Sequence, residues 1–228
     1  MKIKSISKAL LVVSLSIASI SCTHTTNTDQ SSEQAPKVKA YTKKYTNADF
    51  YTNGVFNKDT ALKAYLDMFE YYGVPYTDLM KKDMWVTDFN LGDFEHVGMG
   101  GIFWVNDSIH NYFGHEIYLL PNQMIVEHAH MPTPGHAAKF ESWLVRNGSC
   151  YNYSIGDSTA NPPQLPESQK GFITVSHFTE MKVGDILPLA QIESKHFLFA
   201  GDNGLIVTEF GSYHDGAGLR FTNPGVKF

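Results

Sequence analysis

Two histidines two residues apart, His128 and His130, do more than any other feature to limit what this chain of 228 residues can fold into. On a β-strand, residues i and i+2 point to the same face. After a short Pro/Gly-rich excursion, Pro132 to His136, a second i, i+2 series follows: Lys139, Glu141, Trp143 and Val145. That segment is rich in aromatic and β-branched residues, as strands are. Two imidazoles on one strand and a carboxylate on the next are three ligands for one divalent cation. A fourth candidate, His196, lies downstream in Glu193-Ser-Lys-His196-Phe-Leu-Phe, with His177 and His136 as substitutes.

The surrounding texture suits paired strands. A helix is expected first, capped by Asp59 or Thr60, with Ala61, Leu62, Tyr65, Met68, Phe69 and Tyr72 at helical spacing and Gly73 at its end. A shorter helical turn follows around Thr77 to Lys82. From Met84 onward come short strand-like runs: Trp85–Leu91, Gly101–Asn106, Glu116–Pro121, Met124–Met131, Lys139–Ile155, Gly171–His177, Gly184–Leu189, His196–Ala200 and Leu205–Phe210. Close spacing after a helical start argues for a sandwich or barrel. The tail from Tyr213 is too Gly-rich for an ordinary strand and is expected to cap an open end of the barrel.

Composition narrows the class. Hydrophobic residues make up 43% and charged residues 18%, which excludes a largely disordered chain. Net charge is −5 and the basic residues are scattered, so no nucleic-acid surface is expected. Met1 to Lys8 is a basic n-region, Ala9 to Ile20 a short apolar h-region, and Ser19-Ile-Ser-Cys22 places small residues before a cysteine. This is the layout of a bacterial lipoprotein signal peptide, 1–22, with Cys22 lipidated. Residues 23–45 read as a flexible polar tether, and 46–228 as a single domain. The chain is thus expected to be exported and to meet the membrane through its lipid only. Cys150, without a partner if Cys22 carries lipid, is expected to be a buried structural thiol.

Each candidate has a bland reading to beat. A lone His-x-His is weak among ten histidines. Glu141, facing inward among Trp and Val, is harder to dismiss, because an inward carboxylate needs a cation or donors. Lys139 either pairs with Glu141 or places an ammonium beside a bound substrate. Glu209, at the end of Leu205-Ile-Val-Thr and on the face of Val207, is read as inward and functional. Gln123 and Glu127 flank the histidine pair; by strict alternation Glu127 faces away from His128 and is structural. Asp215 and Arg220 either hydrogen-bond a polyol or pair with each other.

The run His-x-His, then Glu141, then Gly148, then a late histidine is similar to the cupin metal motif. More specifically, Gln123-x-x-x-Glu127-His128-x-His130, Lys139-x-Glu141-x-Trp-x-Val-x-x-Gly148, Lys195-His196-x-Phe, Glu209-Phe and His214-Asp215-x-x-x-Leu-Arg220-Phe-Thr-Asn-Pro224 resemble the D-lyxose ketol-isomerase family of cupins. The likeness covers about residues 84–228, and the loop before Lys139 is longer than in well-known members. It implies an all-β-dominated jelly-roll barrel with a short N-terminal helical region. It also implies one divalent metal, usually Mn2+ (Zn2+, Fe2+ or Co2+ being alternatives), on His128, His130, Glu141 and His196. The implied activity is aldose–ketose isomerisation of a small sugar. Lys139 and Glu209 are assigned to catalysis, and Gln123, Asp215 and Arg220 to sugar binding. Such barrels often pair as homodimers, though no stretch marks an interface. Two other functions share these ligands: a non-catalytic surface carbohydrate-binding cupin, and a metal dioxygenase.

Overall fold

Helical and strand periods divide the computed structural model, which describes residues 41–228, into a helical start and a long antiparallel remainder. The expected leader 1–22 and the tether up to residue 40 lie outside the described residues. Residues 41–45 already dock on the domain. Tyr41 meets Tyr71 edge-on at 5.3 Å, Lys43 pairs with Asp67 at 2.7 Å, and the Tyr45 hydroxyl donates to the same carboxylate. Residues 41–45 of the segment expected as a tether thus pack on the helix, with Asp67 as their anchor.

Helix α1 (Asn47–Phe50) leads into a hairpin of β1 (Tyr51–Thr52) and β2 (Val55–Phe56). Helix α2 spans Lys58–Tyr72. Its cap is Asn57, not Asp59 or Thr60: the Thr60 amide donates to the Asn57 side chain at 3.1 Å. Gly73 ends it at φ 69°, the left-handed conformation glycine adopts without strain. Helix α3 (Asp78–Asp83) is capped by Thr77. Ala61, Ala64, Tyr65, Met68 and Phe69 form the buried stripe of α2. They pack with Ile102, Tyr118 and Ile206, which all face outward from the main sheet.

That sheet contains β3 (Trp85–Thr87), β4 (Met99–Asp107), β5 (Tyr112–Leu119), β7 (Glu141–Ser154), β8 (His177–Lys182), β9 (Ile186–Pro188) and β10 (Phe197–Gly211). Its order is β3-β4-β5-β10-β7-β8, with β9 also on β7. A second pair joins β6 (His128–His130) to β11 (Leu219–Phe221). The two are linked through the start of β10: Met124 bridges Phe199, and His128 bridges His196. Strand β10 thus links the two sheets, and its register with β7 shifts between Ala200 and Leu205. There Gly148, at φ 75°, lies so close to the Gly204 carbonyl that a Cβ would collide with it. The result is the expected β-dominated, cupin-type barrel. Met99, Ile117, Leu119, Trp143, Val145, Leu205 and Val207 fill its interior.

Two strand expectations differ. Gly171–Ser176 is irregular, because the Thr174 and Val175 amides donate to the Glu127 carboxylate rather than to a neighbouring strand. The Gly-rich tail does form a short strand, β11, where Leu219–Phe221 meets His130–His128. Among the described residues no helix is long and apolar enough to cross a membrane.

Candidate metal centre and active site

Strict alternation aims four donors at one point. His128 and His130 project from β6, Glu141 opens β7, and His196 immediately precedes β10. Ligand nitrogens of the three histidines lie within 4.8 Å of one another. The Nε2 of His196 lies 2.8 Å, and that of His130 3.4 Å, from Glu141 Oε1. Yet the His196 Nε2 and Glu141 Oε1 atoms, both buried, make no hydrogen bond. They converge without pointing at each other. The far nitrogens of two of the three are occupied: His128 Nδ1 is 2.9 Å from the Val126 carbonyl and His196 Nδ1 is 3.0 Å from that of Ser194, while His130 Nδ1 has no partner. Donation from Nδ1 leaves the Nε2 lone pair free for the centre. Three imidazoles and a carboxylate that converge on one point, with His196 Nε2 and Glu141 Oε1 unpartnered there, are a donor set that fits a divalent cation.

The electrostatics agree. Burial, then the neighbouring His196, pushes His128 down to about 4. Burial and the Lys139 ammonium hold His130 well below the usual imidazole range. Burial alone would raise Glu141, but Lys139 and His196 keep it well below the usual carboxylate range. Burial works against a charged His196, and Glu141 outweighs it, so His196 is raised. A cation among these groups would take the place of that proton.

Beside the four donors sits a second buried charge cluster. The Lys139 ammonium lies 2.5 Å from Glu141 Oε2, donates to Glu209 Oε1, and rests 4.1 Å from the centroid of the Phe113 ring. Burial disfavours its charge, but the two glutamates raise it, so it stays an ammonium. Glu209, on β10, is held down by Lys139 against burial and the nearby Glu141. Its Oε2 lies 3.4 Å from His115 Nδ1. Lys139, Glu209, His128 and His130 line one cavity whose opposite wall is aromatic: Trp85, Phe103, Phe113 and Phe221.

No model of a known protein family matches the chain. Among characterised proteins, the D-lyxose/D-mannose isomerase of Thermosediminibacter oceani is 34% identical over 148 residues, covering 64% of this chain and 80% of the relative. The D-lyxose ketol-isomerase of a Thermofilum species is also 34% identical, over 161 residues, covering 70% and 88%. The chain belongs to the D-lyxose ketol-isomerase family. Solved L-ribose isomerases share its fold. That of Cellulomonas parahominis with L-ribose superposes with a TM-score of 0.58 at 12% identity, covering 80% of this chain and 95% of the other. An Acinetobacter enzyme, also with L-ribose, gives 0.57 over 80% and 94%.

Within this member of the D-lyxose ketol-isomerase family, the barrel brings together His128, His130, Glu141, His196, Lys139 and Glu209. It does not bring Gln123, Asp215 or Arg220 to the cavity. Gln123 is fully buried under α2: the Tyr65 hydroxyl donates to its Oε1 at 2.7 Å, as does the Leu120 amide at 2.9 Å, and its amide donates to the Phe94 carbonyl at 2.5 Å. With three of its four hydrogen bonds made inside the core and the side chain fully buried, it is a structural tie rather than a sugar ligand. Asp215 accepts from Thr133 at 2.6 Å and from the Ala217 amide at 3.0 Å. Arg220 is exposed and donates to the carbonyls of Ala217 and Leu219. The two do not pair with each other; both brace the tail. Glu127 faces away from the centre, accepting from Thr174, Val175 and Thr222. His177 and His136 lie apart from the cluster; His136 packs on Tyr213 at 4.7 Å.

Two cavity residues have no role assigned from the sequence, although His214 stands in the His214-Asp215 element of the family resemblance. His115 on β5 and His214 before β11 both line the cavity, each with a buried unpartnered nitrogen. His214 is pushed down to about 4, chiefly by burial and then by Lys139. The available signal for His115 was the alternation Phe113-His115-Ile117-Leu119, in which one polar residue shares an apolar face. His214 sits in irregular sequence, its backbone bonded to the Asn106 side chain, and its signal is its place in the His214-Asp215 element rather than any alternation. Cys150 is buried, and burial raises its thiol to about 12, in keeping with a structural role.

Proposed function

We propose that this chain is a metal-dependent aldose–ketose isomerase acting on small sugars of the D-lyxose/D-mannose type. One observation carries the reading. His128 and His130 of the donor set line the same cavity as a buried Lys139–Glu209 pair, whose lysine also reaches the donor Glu141. His128, His130, Glu141 and His196 would hold the cation, Mn2+ being the first choice. When bound, such an ion supplies Lewis acidity toward the oxygens at C1 and C2 of an open-chain sugar. Glu209 moves a proton between C2 and C1, as a carboxylate kept ionised by Lys139 can. Lys139 donates to a sugar oxygen and offsets negative charge that develops there. The aromatic wall of Trp85, Phe103 and Phe113 excludes water and faces the carbon skeleton. Relatives named for D-lyxose and D-mannose isomerisation support the sugar class.

The test is metal analysis of the purified domain together with a panel of pentoses and hexoses followed by NMR. One bound ion per chain and interconversion of at least one aldose–ketose pair are expected. A metal-loaded protein that interconverts none would sink the reading. The amino-terminal pattern Met1–Cys22 adds export as a lipoprotein, checked by mass spectrometry of the native N-terminus; an unmodified Cys22 would refute it.

A further inference from the structure

Glu209 and His115 are direct partners across the β5–β10 ladder, so both side chains rise from the same place on the inner sheet face. The two carboxylate oxygens of Glu209 have different neighbours. Oε1 takes Lys139; Oε2 lies 3.4 Å from His115 Nδ1. Lys139 is a shared partner, since it also reaches Glu141 at 2.5 Å and faces the cavity. A sugar oxygen that engages Lys139 therefore competes for Glu209's hold on it. His115 is not shared in this way. Its side chain is buried, and its other nitrogen, Nε2, has no partner. The ring's tilt is set by aromatic neighbours, with near-parallel stacking on Phe103 at 4.5 Å and on Trp85 at 5.6 Å. Gly101 leaves the space this ring needs. A Cβ there would meet His115 Nε2 and lie 2.9 Å from the Trp85 ring.

We propose that His115 is a positioning residue for Glu209, donating its Nδ1–H to Oε2 so that the carboxylate keeps one orientation while Lys139 turns to the substrate. The inference rests on the isomerase reading of the cavity. A neutral imidazole that donates from Nδ1 leaves Nε2 as an acceptor, which fixes the tautomer. Orientation of a proton-transferring carboxylate acts on turnover rather than on substrate affinity. A ring that merely fills space would have no preferred tautomer tied to Glu209. It would also be replaced without loss by another ring of similar size.

The experiment compares wild type, His115→Phe and His115→Asn, all metal-loaded, on D-lyxose, with kcat and KM determined separately. Phenylalanine fits the cradle of Trp85, Phe103 and Phe113 but cannot donate. It is expected to lower kcat about 10–100-fold with KM unchanged and metal content intact, the range seen when supporting hydrogen bonds are removed from a site. Asparagine places an N–H near the position of Nδ1 and is expected to recover most of the loss. An unaltered kcat in His115→Phe, an effect on KM alone, or an asparagine variant as poor as the phenylalanine one would overturn the proposal. A second readout needs neither turnover nor a folded variant: 15N shifts of His115 in the zinc-loaded wild type should show Nδ1 protonated and Nε2 bare. The opposite tautomer refutes the bond to Glu209. A wild type inactive on every sugar would fell the isomerase reading, whereas the tautomer would still decide the hydrogen bond.

Discussion

Replacing Glu209 with Gln removes a negative charge and a base while keeping the shape of the side chain. Turnover of the sugar should fall by about 10²–10⁴, the usual contribution of a positioned general base. Metal stoichiometry should not change, because Glu209 is not among the four converging donors. Steady-state kinetics with elemental analysis of the same sample separates the two effects; an unimpaired variant would remove Glu209 from the chemistry. Lys139 behaves differently at this scale. Truncating it to Ala leaves Glu141 and Glu209 buried and facing each other without their shared cation. Breaking such a buried pair costs about 3–5 kcal/mol, so Lys139→Ala should lower the melting temperature as well as the rate. A calorimetric scan equal to that of wild type would contradict the buried ammonium. The core of this site was legible from period alone: His128, His130 and Glu141 follow i, i+2 spacing, and Glu209 shares the face of Val207. Gln123 is taken up by partners from distant elements, whereas Asp215 and Arg220 bond mainly within their own tail, at Ala217 and Leu219. The hydroxyl that occupies Gln123, that of Tyr65, lies 58 residues away along the chain.

At the level of elements, Glu127 ties three segments together. Its carboxylate accepts from Thr174 and Val175 in the irregular stretch before β8 and from Thr222 after β11. Burial alone would raise its pKa, but these bonds outweigh burial and lower it. A carboxylate depressed in the folded state contributes stability that is present above its unfolded pKa and is lost as pH falls through the folded one. Wild type should therefore lose melting temperature as the pH drops below about 4, the unfolded carboxylate range, and Glu127→Ala should lose less over that window. At neutral pH the variant leaves buried donors unpaired, at about 3 kcal/mol, or roughly 6–12 °C for a domain of this size. Identical pH profiles would show that the carboxylate does not anchor these segments. The helices and most strands follow from spacing and caps. Residues 171–176 look like a strand by composition, and only the long-range demand of Glu127 for their amides keeps them out of the sheet. Likewise β11 forms because β6 offers an open edge, which no local property of the Gly-rich tail announces.

Across the whole molecule, the barrel gathers donors from β6, β7 and the start of β10 that lie far apart in sequence. Without a cation, a buried carboxylate and imidazoles face one another with unmet bonding capacity. A ligand that binds only the folded chain stabilises it by about 2.7 kcal/mol at one hundred times its Kd. Chelation should therefore lower the melting temperature by several degrees, and added Mn2+ should restore it; a melting point indifferent to chelator would argue against a cation bound to the folded barrel. The two-layer arrangement was foreseeable from many short strands after a helical start. The role of β10 in joining the two sheets was not, because it rests on two isolated bridges, Met124 to Phe199 and His128 to His196. The most direct single measurement is conversion of D-lyxose by the purified domain, assayed as prepared, after chelation, and after Mn2+ is returned. Conversion that disappears with the metal and returns with it is the expected result. Undiminished conversion by the chelated protein, or none once metal is restored, would contradict a metal-dependent isomerase.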